Sequence, residues 1–189
     1  KSKFKMKDLG QVRDILGMRI DRDGQTGSIR LSRKRYIEDL LEKFNMKDCK
    51  NVATPMEVNE RFVSESKSKE DMERKPYREL IGSLIYLANA TRPDIAFATN
   101  VLNRFYEGSK IAQWKAAKRV LRYLRGTTEY AISYGKSDAK LVGYIDADWA
   151  EDTKDRRSCT GYVMMLANGP ISWCTRKQRS VALSTMEAE

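Results

Sequence analysis

At 189 residues, 41% hydrophobic and 33% charged, the chain is long enough for one large core or two small ones and is expected to be globular and soluble. Lysine and arginine outnumber the acids 36 to 26, a formal charge of +10 that favours a polyanionic partner, nucleic acid first and an anionic membrane second. Without histidine, and with Cys49, Cys159 and Cys174 widely spaced and no CxxC pair, the chain has neither the commonest general base nor a zinc-ligand set, so any chemistry must rest on carboxylates and metal.

The charged start Lys1-Ser-Lys-Phe-Lys-Met-Lys7 has no apolar stretch behind it, and no later run approaches a membrane span. An intracellular chain with reduced thiols and no membrane partner is expected. Ile15–Ile20 and Ile29–Leu31 bracket a turn with Asp23, Gly24, Gly27 and Ser28, which reads as a β-hairpin. Ser32 is the expected cap of a helix over 33–44, whose Tyr36, Ile37, Leu40, Leu41 and Phe44 share one face. Between 57 and 75 serine, lysine and glutamate replace the apolar residues, and Pro76 closes an exposed linker.

A largely buried helix follows from Tyr77 to Asn89 with Leu80, Ile81, Leu84, Ile85 and Ala88 inward. Thr91-Arg-Pro-Asp94 then reads as a cap with proline near the first helical position, opening a helix through Ile95, Leu102 and Phe105. From Ile111 to Arg125 a third helix sets Ile111, Trp114, Ala117, Leu121 and Leu124 against a basic stripe of Lys115, Lys118, Arg119, Arg122 and Arg125. That stripe is either a phosphate-binding surface or an ordinary solvated face. After Gly126 the period drops to two, giving strands over Tyr130–Tyr134, Leu141–Ala147, Ser158–Leu166 and Ile171–Cys174, with a turn at Asn168-Gly169.

The acids near the C-terminus are the candidates for chemistry. Asp146 and Asp148 lie two apart in an apolar strand, which would point both to one face and make them repel unless a cation sits between them. Asp148 also suits a loop-ordering role beside Trp149. Ser184-Thr-Met-Glu187 matches a capping box, which gives Glu187 a structural role, whereas Glu189 falls roughly 200° further round the helix and is free to meet the strand acids. A strand aspartate opposite a helix glutamate suits Mg²⁺, which prefers oxygen ligands. Arg30, Arg33, Lys34, Lys115, Arg119, Arg122, Arg156 and Arg157 are the candidate phosphate contacts.

Along its whole length the chain resembles the Pol polyprotein of copia-type LTR retrotransposons. The resemblance rests on Met6-Lys-Asp-Leu-Gly10, Leu16-Gly-Met18, Tyr36-Ile-Glu-Asp-Leu-Leu41, Thr54-Pro-Met56, Tyr77–Leu87, Thr91-Arg-Pro-Asp-Ile-Ala96 and Lys118–Thr127, in that order. Gly143-Tyr-Ile-Asp-Ala-Asp-Trp-Ala150, Arg156-Arg-Ser158, Thr160-Gly-Tyr162, Ile171-Ser-Trp173 and Ser184–Glu189 complete it. It implies an α+β or α/β chain, with a helical thumb-connection region followed by an incomplete ribonuclease H-like mixed β-sheet. The implied parts are the end of the reverse-transcriptase palm, with a primer-grip-like hairpin and thumb helix, over 1–56; a linker over 57–75; connecting helices over 76–127; and the opening of ribonuclease H over 128–189.

By the same resemblance Asp146 and Glu189 are the catalytic, Mg²⁺-binding acids of a parent that copies RNA into DNA and cleaves RNA in RNA–DNA hybrids. The polymerase's paired aspartates belong upstream of Lys1 and the remaining hydrolase acids after Glu189, so this chain is expected to grip nucleic acid rather than catalyse. Gln113 stands where relatives carry histidine. The implied partners are an RNA–DNA hybrid and the remainder of the polyprotein, in a cytoplasmic virus-like particle or the nucleus. A non-catalytic nucleic-acid-binding or scaffold protein derived from such an element is the alternative, and the last third is a candidate for having no independent fold.

Overall fold

The computed structural model describes residues 7, 8, 10–57, 75–107, 111–136, 140–150, 152 and 155–189. All but the ends of the expected linker, and Lys154 of the basic loop, lie outside the described residues. The elements are β1 Asp14–Ile15, β2 Met18–Arg22, β3 Ile29–Ser32, α1 Lys34–Lys43, α2 Tyr77–Ala90, a 3₁₀ turn Pro93–Ile95, α3 Ala96–Asn103, α4 Ile111–Gly126, β4 Ala131–Tyr134, β5 Val142–Ala147, β6 Cys159–Leu166, β7 Gly169–Lys177 and α5 Thr185–Ala188. This is an α+β arrangement of helices with two antiparallel sheets, ordered β1-β2-β3-β4 and β5-β6-β7.

The helical spacing of the apolar residues decides the core. Ile37, Leu40 and Leu41 of α1 meet Leu80, Ile81, Leu84 and Leu87 of α2, Leu102 of α3, and Val120, Leu121 and Leu124 of α4, all at most 4% exposed. Each such side chain contributes roughly 1.5–3 kcal/mol by leaving water. Two expected caps are not made. Ser32 ends β3, paired with Arg19 and Ala131, and the residue preceding α1 is Arg33, without a side-chain cap bond. Thr91 closes α2 rather than opening the next helix, because Pro93 fits the first turn of the 3₁₀ segment and α3 begins only after Ile95.

The Arg92 guanidinium fastens that corner. It is 1% exposed, and its Nε and Nη2 donate to Asp94 at 2.9 and 2.7 Å while Nη1 and Nη2 donate to the carbonyl and hydroxyl of Thr127 at 3.1 and 2.6 Å. The Tyr123 hydroxyl donates to the same Asp94 carboxylate at 2.9 Å, and the Tyr123 and Tyr130 rings lie 5.6 and 5.5 Å from the guanidinium carbon. The α2–α3 corner is thereby tied to the end of α4, from which β4 departs.

The last third is not separate. The sequence grouped β4 with the later strands, yet β4 pairs with β3, Leu31 opposite Ile132, and completes the first sheet. The β6–β7 turn is Ala167-Asn168, both left-handed at φ 51° and 65°, one residue ahead of the expected Asn-Gly pair. Gly169 is needed for approach: a Cβ there would meet Tyr134 at 2.6 Å. Tyr134 Oη donates to the Pro170 carbonyl at 2.7 Å, Trp173 Nε1 to that of Ala88 at 2.8 Å, and Asn100 Nδ2 to that of Thr175 at 2.9 Å. Asp152 bridges Arg104 at 3.2 Å and Lys177 at 2.5 Å. The second sheet thus rests on α2, α3 and β4.

Arg92→Met should cost about 3 kcal/mol, because Asp94 keeps its charge in a partly buried site without its partner; a urea midpoint that hardly moves would refute this. Burial, then the bond to Asp94, pushes the Tyr123 hydroxyl from its ordinary 10.0 up to about 12, and burial raises Tyr77 as well. The folded chain holds these protons more tightly than the unfolded one, so their contribution is complete below pH 10 and is lost as pH rises towards 12. Denaturation across that window should show falling stability, with a shallower fall in Tyr123→Phe.

Candidate nucleic-acid interface and carboxylate cleft

The basic residues do not form one free face. On α4, Arg122 donates to the Lys50 carbonyl at 2.7 Å and Arg125 to that of Lys47 at 2.6 Å, while Arg119 reaches Glu57 at 2.8 Å and Thr54 Oγ1 at 3.0 Å. These arginines clasp the 47–57 segment that crosses the helix. The stripe is therefore in part a brace, which its helical spacing alone could not disclose. Arg30 donates to the Glu129 carbonyl at 2.5 Å, and Lys34 pairs with the Glu129 carboxylate, which holds its ammonium above the usual lysine range.

Arg33 is the clear correction. It is 3% exposed beneath Tyr86, whose ring centre is 4.1 Å from its guanidinium carbon, so in this arrangement it is not a surface phosphate contact. Arg157 is exposed with a long pair to Asp155 at 3.7 Å. Lys115 and Arg156 are exposed and engage no other described residue through their side chains. Arg156 sits at φ 57° in the loop between β5 and β6.

One carboxylate faces a cleft of about 200 Å³ between the start of α3 and the second sheet, lined by Pro93, Ala96, Tyr144, Asp146, Gly161 and Trp173 among others. Asp146 is the acid in that lining. It is exposed, as is most of β5: Tyr144 is 64% and Ile145 62% exposed, so the expectation of a buried strand fails. β5 pairs only with β6, and its other edge is open among the described residues.

Asp148 does not join Asp146. It lies beyond the end of β5, its Oδ1 accepts the Cys159 N–H at 3.0 Å, and its own N–H donates to the Cys159 carbonyl at 3.1 Å. This is the loop-ordering role. The serine half of the capping box is formed, Ser184 Oγ accepting the Glu187 N–H at 3.2 Å, while the Glu187 carboxylate accepts the N–H of Leu183, one residue before the cap, at 2.7 Å.

Register sets the anchor of α5 on the face opposite Asp146. Opposed residues of an antiparallel ladder share a face, so Asp146, Gly161 and Thr175 lie on the side turned to the helices, while Ala147, Thr160 and Arg176 lie on the other. Gln178 anchors α5 on that other side, donating to Thr160 Oγ1 at 2.7 Å and to the Ala188 carbonyl at 2.6 Å. No cluster of three or more metal-ligating side chains occurs among the described residues. Of the two acids expected to hold Mg²⁺, Asp146 alone lines the cleft.

Pattern reading missed the residues that build the cleft rather than the acid in it. Trp173 and Asn100 hold the sheet to the helices through backbone carbonyls. No local pattern marks either residue, because both bonds run to main-chain carbonyls 75 and 85 residues away in sequence.

The profile of the family described as "Reverse transcriptase (RNA-dependent DNA polymerase)" matches residues 1–58. The "Retrovirus-related Pol polyprotein from transposon TNT 1-94" of Nicotiana tabacum is 45% identical over 98% of this chain, and that of transposon RE2 of Arabidopsis thaliana is 40% identical over 99%. The chain spans 14% and 13% of their respective lengths. The "Uncharacterized mitochondrial protein AtMg00810" of Arabidopsis thaliana is 35% identical over 100% of the chain, which covers 77% of that relative. No solved structure matches. With 40–45% identity to transposon Pol polyproteins along nearly its whole length and a reverse-transcriptase profile over its first 58 residues, the chain belongs to the Pol polyprotein family of copia-type retrotransposons.

Proposed function

We propose that this chain is the junction between reverse transcriptase and ribonuclease H in a retrotransposon polyprotein, and that it grips an RNA–DNA hybrid or other nucleic acid through its phosphate backbone. In this reading β1–β3 and α1 are the primer-grip-like hairpin and thumb helix, α2–α4 the connection, and β5–β7 with α5 the opening of ribonuclease H. The observation that carries it is the formal charge of +10 on a chain similar to a Pol polyprotein over 98% of its length. Backbone binding needs distributed positive charge rather than base-reading geometry, and the exposed, unengaged Lys115 and Arg156 are its first candidates, with Arg30, Lys34, Arg122 and Arg157 beside them.

The parent polyprotein makes DNA from an RNA template and cleaves RNA in the hybrid, with Asp146 as one of its Mg²⁺ ligands. This chain holds and positions the hybrid, and the parent works in a cytoplasmic virus-like particle or the nucleus. A second reading is a non-catalytic nucleic-acid-binding or scaffold protein derived from such an element. AtMg00810, of which the chain covers 77%, is a relative of comparable extent.

Gel shift and cleavage on an RNA–DNA hybrid, with and without Mg²⁺, test the first reading. Binding without cleavage is expected, unchanged in Asp146→Asn; cleavage that needs Asp146 would overturn the assignment of a gripping role alone. Lys115→Glu with Arg156→Glu should weaken binding uniformly across sequences. Each phosphate contact removed should lower the slope of log affinity against log salt by about 0.9.

A further inference from the structure

The Arg33 guanidinium is buried, yet only one of its three nitrogens is satisfied. Nη2 donates to the Leu16 carbonyl at 2.9 Å, whereas Nε and Nη1 have no hydrogen-bond partner. The rings of Tyr86 and Tyr36 lie 4.1 and 5.7 Å from its guanidinium carbon and compensate part of the lost hydration, but they accept neither N–H in the ordinary sense. The contrast within the same molecule is Arg92, equally buried, whose Nε and Nη2 make a side-on fork to the Asp94 carboxylate. Arg33 has the same fork with one prong on a main-chain carbonyl and the other empty. Buried unsatisfied donors are uncommon in folded proteins and costly, most of all on a charged group.

Arg33 is covered by a turn. The cover is the two-residue turn Leu16-Gly17 between β1 and β2, with both residues left-handed at φ 50° and 71°. The Leu16 side chain pays a steric penalty in that conformation, and it is 74% exposed. The Leu16 carbonyl accepts twice, from Arg33 and from the Tyr86 hydroxyl at 3.0 Å. Gly17 has no side chain to close the gap, and Arg33 Nη1 is the nearest atom to where its Cβ would stand, at 3.9 Å. Lifting this turn uncovers the fork.

The rim around the turn is apolar. Val12, Ile15, Leu16 and Tyr86 are 43%, 46%, 74% and 45% exposed. A nucleic-acid backbone would lose hydration against such a rim, whereas a protein segment would bury it and could deliver a planar carboxylate to the guanidinium. The chain spans 14% of its tobacco relative, so in a polyprotein of that kind this surface is presented to a far longer polypeptide.

We propose that the Leu16-Gly17 turn and Arg33 form a docking site for an acidic residue, flanked by apolar side chains, of another segment of the polyprotein. The carboxylate replaces the Leu16 carbonyl on Nη2 and takes Nε as well, and the docked segment covers Val12, Ile15 and Tyr86. The assignment is independent of nucleic-acid binding, and its outcome leaves the gripping role as it stands.

The test titrates this chain with sodium acetate, and separately with inorganic phosphate, against sodium chloride at matched ionic strength. Melting temperature and the NMR resonances of Arg33 Nε–H and the Leu16 and Gly17 amides are followed. Acetate should raise the melting temperature above the chloride control and shift all three resonances saturably. Arg33→Met, which removes a buried charge and is expected to fold at least as well, should lose the acetate effect. Arg33→Lys should keep less of it than the parent chain. The proposal is overturned if acetate and chloride act alike, if acetate acts equally on Arg33→Met, or if phosphate alone produces the shifts.

Discussion

The Arg92–Asp94–Thr127 ion pair and hydrogen-bond network is the constraint on which the architecture depends. A guanidinium taken out of water costs least where its charge is paired and its N–H groups are satisfied, and here one carboxylate and one threonine supply both. Because Asp94 lies two residues from Arg92 and Thr127 lies past the end of α4, satisfying one side chain fixes two chain reversals at once. The direction in which β4 leaves α4 follows, and with it the pairing of β4 to β3.

From that pairing the rest of the sheet geometry is built outward. β4 brings Tyr134 and Ser133 under the β6–β7 turn, where only glycine fits at 169, and the second sheet then lies back on α2 and α3 through the Trp173 and Asn100 bonds. The partly buried Asp152 bridge adds a charged fastening at the other end. The outer strand β5 gains no such cover. Its Tyr144 and Ile145 are exposed, and its edge away from β6 is unpaired among the described residues.

Charge shows how a one-dimensional pattern under-determines use. Arginines recurring along α4 look alike in sequence, yet the crossing of the 47–57 segment gives Arg119, Arg122 and Arg125 backbone or side-chain acceptors and leaves Lys115 outside. Arg33 sits between a strand and a helix, where an exposed cation is the natural expectation, and is instead drawn under Tyr86 by a turn that no local pattern places there. Long side chains with flat, polarisable heads follow the partner nearest in space.

What the sequence determined by itself was whatever depends on near neighbours in the chain. The apolar spacing of Ile37–Leu41, Leu80–Leu87 and Val120–Leu124 placed the three longer helices to within a residue or two, since a 3.6-residue period must bury one face. The alternation after Gly126 placed the later strands, the Ser184 cap was legible, and the ordered motifs identified the family. Tertiary structure decided the sheet to which β4 belongs, the fate of each arginine, the exposure of β5, and the engagement of Asp148 with Cys159. Those outcomes depend on strand register and on partners up to 99 residues away, as between Arg30 and Glu129, and local periodicity carries no information about such distant pairings.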